Sequence, residues 1–118
     1  MTAINVDQLV GDIKAAASQI IETDIATVKG FSERQLKAIA QQTALVAGGI
    51  ANGQISEDTR EFFLDSIEKM TENFLETLQG LLWLTVEKIW NAVIGVIWKA
   101  INGAVAATGL VLPVPVRI

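Results

Sequence analysis

Residues 81–101 read LLWLTVEKIWNAVIGVIWKAI, and this stretch limits what the chain can fold into more than any other. It is too apolar for an ordinary surface helix and carries lysine too near its middle for a simple membrane span. At 100° per residue, Lys88, Gly95, Lys99 and Asn102 fall within about 60° of one another, and Asn91 lies about 20° further round. Thr85 flanks this polar stripe, Trp83 and Trp90 lie nearly opposite it, and Trp98 sits to one side. The rest of the circumference is Leu, Ile, Val and Ala, with Ile89, Ile94 and Ile97 at the apolar centre.

Such a helix has three homes: the buried centre of a bundle, the bilayer interface with its lysines toward headgroups, or a span whose stripe faces neighbours or water. A lone span fits poorly, because a lysine near mid-bilayer costs roughly 2.5–3.5 kcal/mol on insertion scales. The preceding helices carry one clear apolar face each, so the expectation is that one chain cannot cover the segment and that lipid or further copies do. All three tryptophans fall inside this segment, and their amphipathic rings favour membrane interfaces, although bulky core filling is the alternative. Trp83, Trp90, Trp98, Ile89, Ile94 and Ile97 are therefore the expected membrane or oligomer contacts. Lys88, Asn91, Gly95, Lys99 and Asn102 are the expected polar stripe.

The remaining punctuation is helical. Asn5 with Gln8 and Ser32 with Gln35 read as capping boxes, and Ser56 followed by Glu57 and Asp58 reads as a third helix start. Gly30, Asn52-Gly53 and Gly109 read as stops. The pattern predicts an all-α fold with amphipathic helices over about 5–29, 33–52 and 57–79. The third helix either stops at Gly80 or runs on into 81–108. Pro113 and Pro115 force the end, LVLPVPVRI, into an extended or polyproline-like tail that frays or packs along a neighbouring surface. The chain divides into an acidic amphipathic region (1–79), a Trp-rich hydrophobic helix (80–112) and the tail (113–118).

Charge follows this division. Residues 1–80 hold twelve acidic side chains against six basic ones, and residues 81–118 hold Glu87 against Lys88, Lys99 and Arg117. An acidic front argues against nucleic acid, whose phosphates need a basic surface. The start MTAINVDQ has neither the basic nor the apolar region of a secretory signal.

Histidine, cysteine and tyrosine are absent, which removes thiolate chemistry, Cys/His metal sites and imidazole bases. No catalytic, cofactor-binding or metal-binding constellation stands out, and the expectation is a non-enzyme. Glu61, Asp65, Glu68, Glu72 and Glu76 share one face of the third helix. A solvated face, aided by an Asp65–Lys69 pair, is the plain reading, and a docking face for a basic partner or a divalent cation is the alternative. Ala40, Ala44 and Gly48 form a small-residue face suited to close helix packing.

Acidic amphipathic helices before a Trp-rich hydrophobic end resemble small bacterial or phage membrane-active and virion proteins in a general way, without a motif that transfers residue roles. The leading expectation is a homo-oligomeric, membrane-associated α-helical protein of structural or pore-forming type. A soluble assembly protein (tube, shell or virion component) is the first alternative. A small adaptor with an acidic docking face is the second.

Overall fold

The computed structural model describes residues 3–117; Ile118 of the expected tail lies outside the described residues. Among these residues the fold is all-helical, with α1 at Val6–Ile21, α2 at Glu33–Ala51, α3 at Glu57–Thr77 and α4 at Trp83–Val105. Short 3-10 turns follow α1 at Ile25–Thr27 and α4 at Ala106–Thr108, and residues 110–117 form an extended tail.

The starts are set by local chemistry. The Asn5 side chain accepts the Gln8 N–H at 3.0 Å, and Ser32 accepts the Gln35 N–H at 3.2 Å, so each satisfies a donor that the first helical turn leaves open. Ser56 is in the N-cap position of α3 but makes no such bond; its hydroxyl meets that of Thr59 at 3.2 Å.

One boundary differs from the periodicity, and one left open by it is settled. The first helix, expected to reach residue 29, ends at Ile21, where Glu22 turns left-handed at φ 60°. Asp24 then caps a 3-10 turn, and that turn drives Ile25 fully into the core. Apolar spacing alone continues through this stretch, but the Asp24 carboxylate offers the backbone a better local partner than another helical turn. The third helix does not run on into the fourth. Leu78 to Leu82 break the path around Gly80, whose φ of +81° suits a residue without a side chain.

α4 lies at the centre, packed most extensively on α1, then on α2, and touching α3. Ile89, Val93, Ile94, Ile97 and Ile101 are wholly buried, and Trp90 and Trp98 retain 2% exposure. One continuous core joins α4 to apolar residues of α1, α2, α3 and Leu112 of the tail. The buried hydroxyls of Thr43 and Thr71 do not disturb it, because each donates to its own helix four residues back, to Ile39 and Ile67.

At one end of the bundle the two loops are tied together. The Gln79 N–H donates to the Lys29 carbonyl at 2.8 Å. Gly30 sits beside this bond at φ +90°, and a Cβ there would collide with the Thr77 carbonyl oxygen. Both constraints demand glycine. Gly30→Ala is expected to lower stability by about 2–4 kcal/mol in urea unfolding, through backbone strain and the forced separation of the two loops. Gly53→Ala, with a similar φ but open space, should cost clearly less in the same measurement.

Candidate functional site

The polar stripe of α4 is real as a face, and the structure places the tail on part of it. Asn102 holds Leu112 from both sides: its Oδ1 accepts the Leu112 N–H at 2.8 Å and its Nδ2 donates to the Leu112 carbonyl at 3.0 Å. Three helical turns earlier, Asn91 accepts the Arg117 N–H at 2.8 Å. Between these two points on the tail, the Pro115 carbonyl accepts the Trp90 indole N–H at 3.1 Å. Eleven residues of helix at about 1.5 Å each and five of polyproline-like chain at about 3.1 Å each both cover about 16 Å. The spacing of the two asparagines thus matches the spacing of the two tail positions they hold, with the tail running antiparallel to α4.

Arg117 closes the clasp. Its guanidinium carbon lies 3.8 Å from the centre of the Trp90 ring. Its nitrogens reach Glu72 of α3 at 3.0 Å and Glu87 of α4 at 3.5 Å. Glu87 is buried, with its side chain only 9% exposed, and a buried carboxylate is tolerable only when paired. One residue of the tail therefore neutralises α4's sole carboxylate and joins α4 to α3.

The other stripe members remain outside the clasp: Lys88 and Lys99 are exposed and Gly95 is half-buried. Of the six residues expected to touch lipid or another copy, Trp90, Trp98, Ile89, Ile94 and Ile97 lie inside this chain's own core, and Trp83 alone is exposed. This chain covers the middle of α4 by itself, with three helices and the tail as a fourth wall that helical periodicity does not count, while Trp83 and Leu84 of the first turn stay uncovered. The sequence shows the residue types involved, since amides and an indole N–H on a helix face need partners and an extended proline-containing segment carries unpaired backbone groups, but it does not show that the two meet.

α4 with its following turn, Trp83–Thr108, is a helix long and apolar enough to cross a membrane, with 50% of its most apolar window buried in the bundle. Its first turn is the exception to that burial. Leu82, Trp83 and Leu84 are 78%, 72% and 52% exposed, and Leu82 at the N-cap offers no side-chain acceptor to the first-turn N–H groups. Gly80 turns the chain into this corner, and the Lys29–Gln79 bond braces it.

On the expected small-residue face, Ala40 is fully buried while Ala44 and Gly48 are half-buried. Both line a small cavity of about 120 Å³ with Ala104 of α4. The tighter approach is one residue on, at Gly49, where the Ile55 side chain occupies the space a Cβ would take. Along the acidic face of α3, Glu61, Asp65 and Glu76 are exposed, and Glu68 and Glu72 are half-buried. Besides its pair with Arg117, Glu72 meets Lys69 at 3.7 Å, so Lys69 pairs there rather than with the expected Asp65. No group of potential metal ligands converges among the described residues. A cleft of about 490 Å³ separates this face from the tail, with Glu57, Glu61 and Glu68 on one wall and Leu112 to Pro115 on the other.

Burial, and then the neighbouring Asp65 and Glu61, push the Glu68 carboxyl above the usual carboxylate range, partly offset by Arg117. The folded chain thus holds this proton more tightly than the unfolded chain. Its contribution to stability is full at acidic pH and is lost as pH rises through the raised folded value. Glu68→Gln should therefore raise the urea midpoint at pH 7, with the gain shrinking as pH falls into the ordinary carboxylate range. For the clasp, Arg117→Ala is expected to cost about 1–3 kcal/mol, chiefly by leaving Glu87 unpaired. Adding Glu87→Gln to that variant should recover part of the loss in the same denaturation assay.

Comparison with protein families, with curated proteins and with solved structures found no match to this chain.

Proposed function

We propose that this chain is a non-enzymatic, membrane-associating helical protein whose contact with lipid begins at the Leu82–Leu84 corner of α4. The observation that carries this reading is the exposure of Leu82, Trp83 and Leu84 together, at the start of a helix long and apolar enough to span a bilayer. Large apolar side chains scattered singly on a surface mean little, but three in succession on a braced corner, with tryptophan among them, suit the headgroup boundary. The pore-lining role for the stripe has less support in this conformation, because Asn91 and Asn102 are engaged by the tail. Lipid contact by Trp90 and Trp98 requires the bundle to open, whereas Trp83 needs no rearrangement.

The second reading is a soluble assembly protein, favoured by the burial of half of the candidate span. Liposome flotation separates the two. The intact chain should float with vesicles, and brominated lipids should quench fluorescence that disappears from the quenched fraction in Trp83→Phe. A combined Leu82→Ser, Trp83→Ser and Leu84→Ser variant should partition at least about tenfold less, since burying even one such side chain is worth about 1.5–3 kcal/mol. A chain that stays in the lipid-free fraction and shows no quenching favours the soluble assembly and removes the membrane reading.

A further inference from the structure

Where α1 packs on the second half of α4, the surface opens into a cleft of about 310 Å³, lined by Asp12 and Leu9 of α1 and by Lys99, Ala100 and Gly103 of α4. The apolar cavity of about 120 Å³ beside Ala44 and Gly48 adjoins this cleft, and Ala3, Ile4 and Ala104 are walls of both. No polar side chain lines the cavity. Water needs two to four polar partners, and an apolar cavity of about 150 Å³ stays dry and takes up benzene, so a space of this size and lining suits an apolar group. Gly48 and Gly103 bear on the same point. Each sits inside a helix, where glycine is weaker than alanine. Neither has a positive φ, and a Cβ on either would meet nothing within 4 Å. Backbone and packing leave both positions free for a larger residue, and what the glycines preserve is the open space.

The cleft carries the charge that the cavity lacks. Lys99 and Asp12 are both exposed at its mouth. Neither is paired with the other or with any further charge among the described residues. We propose that the cleft and the cavity together bind a single-chain amphiphile with a zwitterionic head of the phosphocholine or phosphoethanolamine type. Its alkyl chain passes Ile4 and Ala104 into the cavity, its phosphate meets Lys99 and its ammonium meets Asp12. A head of one sign finds one attraction and one repulsion at this mouth, whereas a head of both signs finds two attractions. Lys99 lies sixteen residues along α4 from Trp83, about 24 Å of helix. The site takes up a dispersed molecule rather than a bilayer, so it stands or falls apart from the membrane reading.

Decylphosphocholine, kept below the concentration at which it forms micelles, is the probe. Calorimetric titration of the intact chain should show saturable one-to-one binding, and the amide signals of Gly48, Gly103 and Ala104 should shift in NMR spectra. Decanoate and decyltrimethylammonium keep the alkyl chain but carry one sign of charge, and should bind several-fold more weakly. Lys99→Gln and Asp12→Asn change exposed positions and should each weaken binding about two- to fivefold, the range of exposed ion pairs. Gly48→Leu should fill the cavity and weaken binding at least about tenfold, since each methylene kept out of it costs about fourfold in affinity. The milder Gly48→Ala should weaken binding about fourfold while raising the urea midpoint, which separates a filled cavity from a damaged fold. Absence of binding below the micelle threshold overturns the proposal. So does equal binding of the three probes, or an affinity that the Gly48 variants or the Lys99 and Asp12 variants leave unchanged.

Discussion

Everything in this fold follows from the need to cover α4. A helix carrying Trp90, Trp98 and six isoleucines or valines at zero exposure cannot stand in water, and no single amphipathic neighbour can hide it. α1 and α2 take most of its circumference and α3 touches a narrower strip. The remaining strip is the one on which polar residues occur, and there a fourth helix would have to bury Asn91, Asn102 and Glu87 against apolar side chains. An extended chain solves this difficulty because it brings unpaired backbone groups of its own. The asparagine amides match a peptide N–H and C=O in geometry, so Asn102 pairs with both backbone groups of Leu112 and Asn91 accepts the Arg117 N–H.

Glu87 sharpens that account. Removing a carboxylate from water without a partner is among the larger penalties available to a small domain. Arg117 removes the penalty from thirty residues away, and Trp90 holds its planar face while Glu72 takes its second edge. Arginine suits this position better than lysine would. A delocalised, weakly hydrated cation can stack on an indole and meet two carboxylates at once, whereas an ammonium is a point charge that prefers water. Arg117 thereby ties the tail to both α3 and α4.

Much of the architecture was legible in the residues. Asn5 and Ser32 mark helix starts and Gly53 and Gly109 mark stops because capping and positive φ are local properties that a short window contains, whereas Gly30 shapes a loop rather than ending α1. The face shared by Lys88, Asn91, Gly95, Lys99 and Asn102 was legible for the same reason, since helical geometry places it without any knowledge of neighbours. What faces the stripe was not legible, because that depends on where residues 110–117 come to rest, and periodicity has nothing to say about an extended segment. The end of α1 was missed because apolar spacing persists through Ile25 while the backbone has already turned at Glu22. The sequence also cannot distinguish a tryptophan in a core from one at an interface. Trp83 and Trp90 lie on nearly the same side of the helix, yet Trp90 is enclosed by the bundle and Trp83 lies beyond its edge.

That edge bears on how a membrane would meet the protein. Burial of the middle of α4 disfavours lipid as its resting environment, because the bundle already removes the isoleucines from water and an opening would forfeit their packing. It does not disfavour lipid at the first turn, where Leu82, Trp83 and Leu84 have no cover to lose. Under the proposed membrane reading, the two environments would therefore act on different parts of one helix. A surface contact at the corner leaves the core and the Arg117 clasp intact. A full insertion would have to strip the tail from Asn91 and Asn102 and leave Glu87 unpaired before lipid could reach Trp90. The energetic order favours corner contact first, with any deeper entry controlled by the tail rather than by the apolar character of α4 alone.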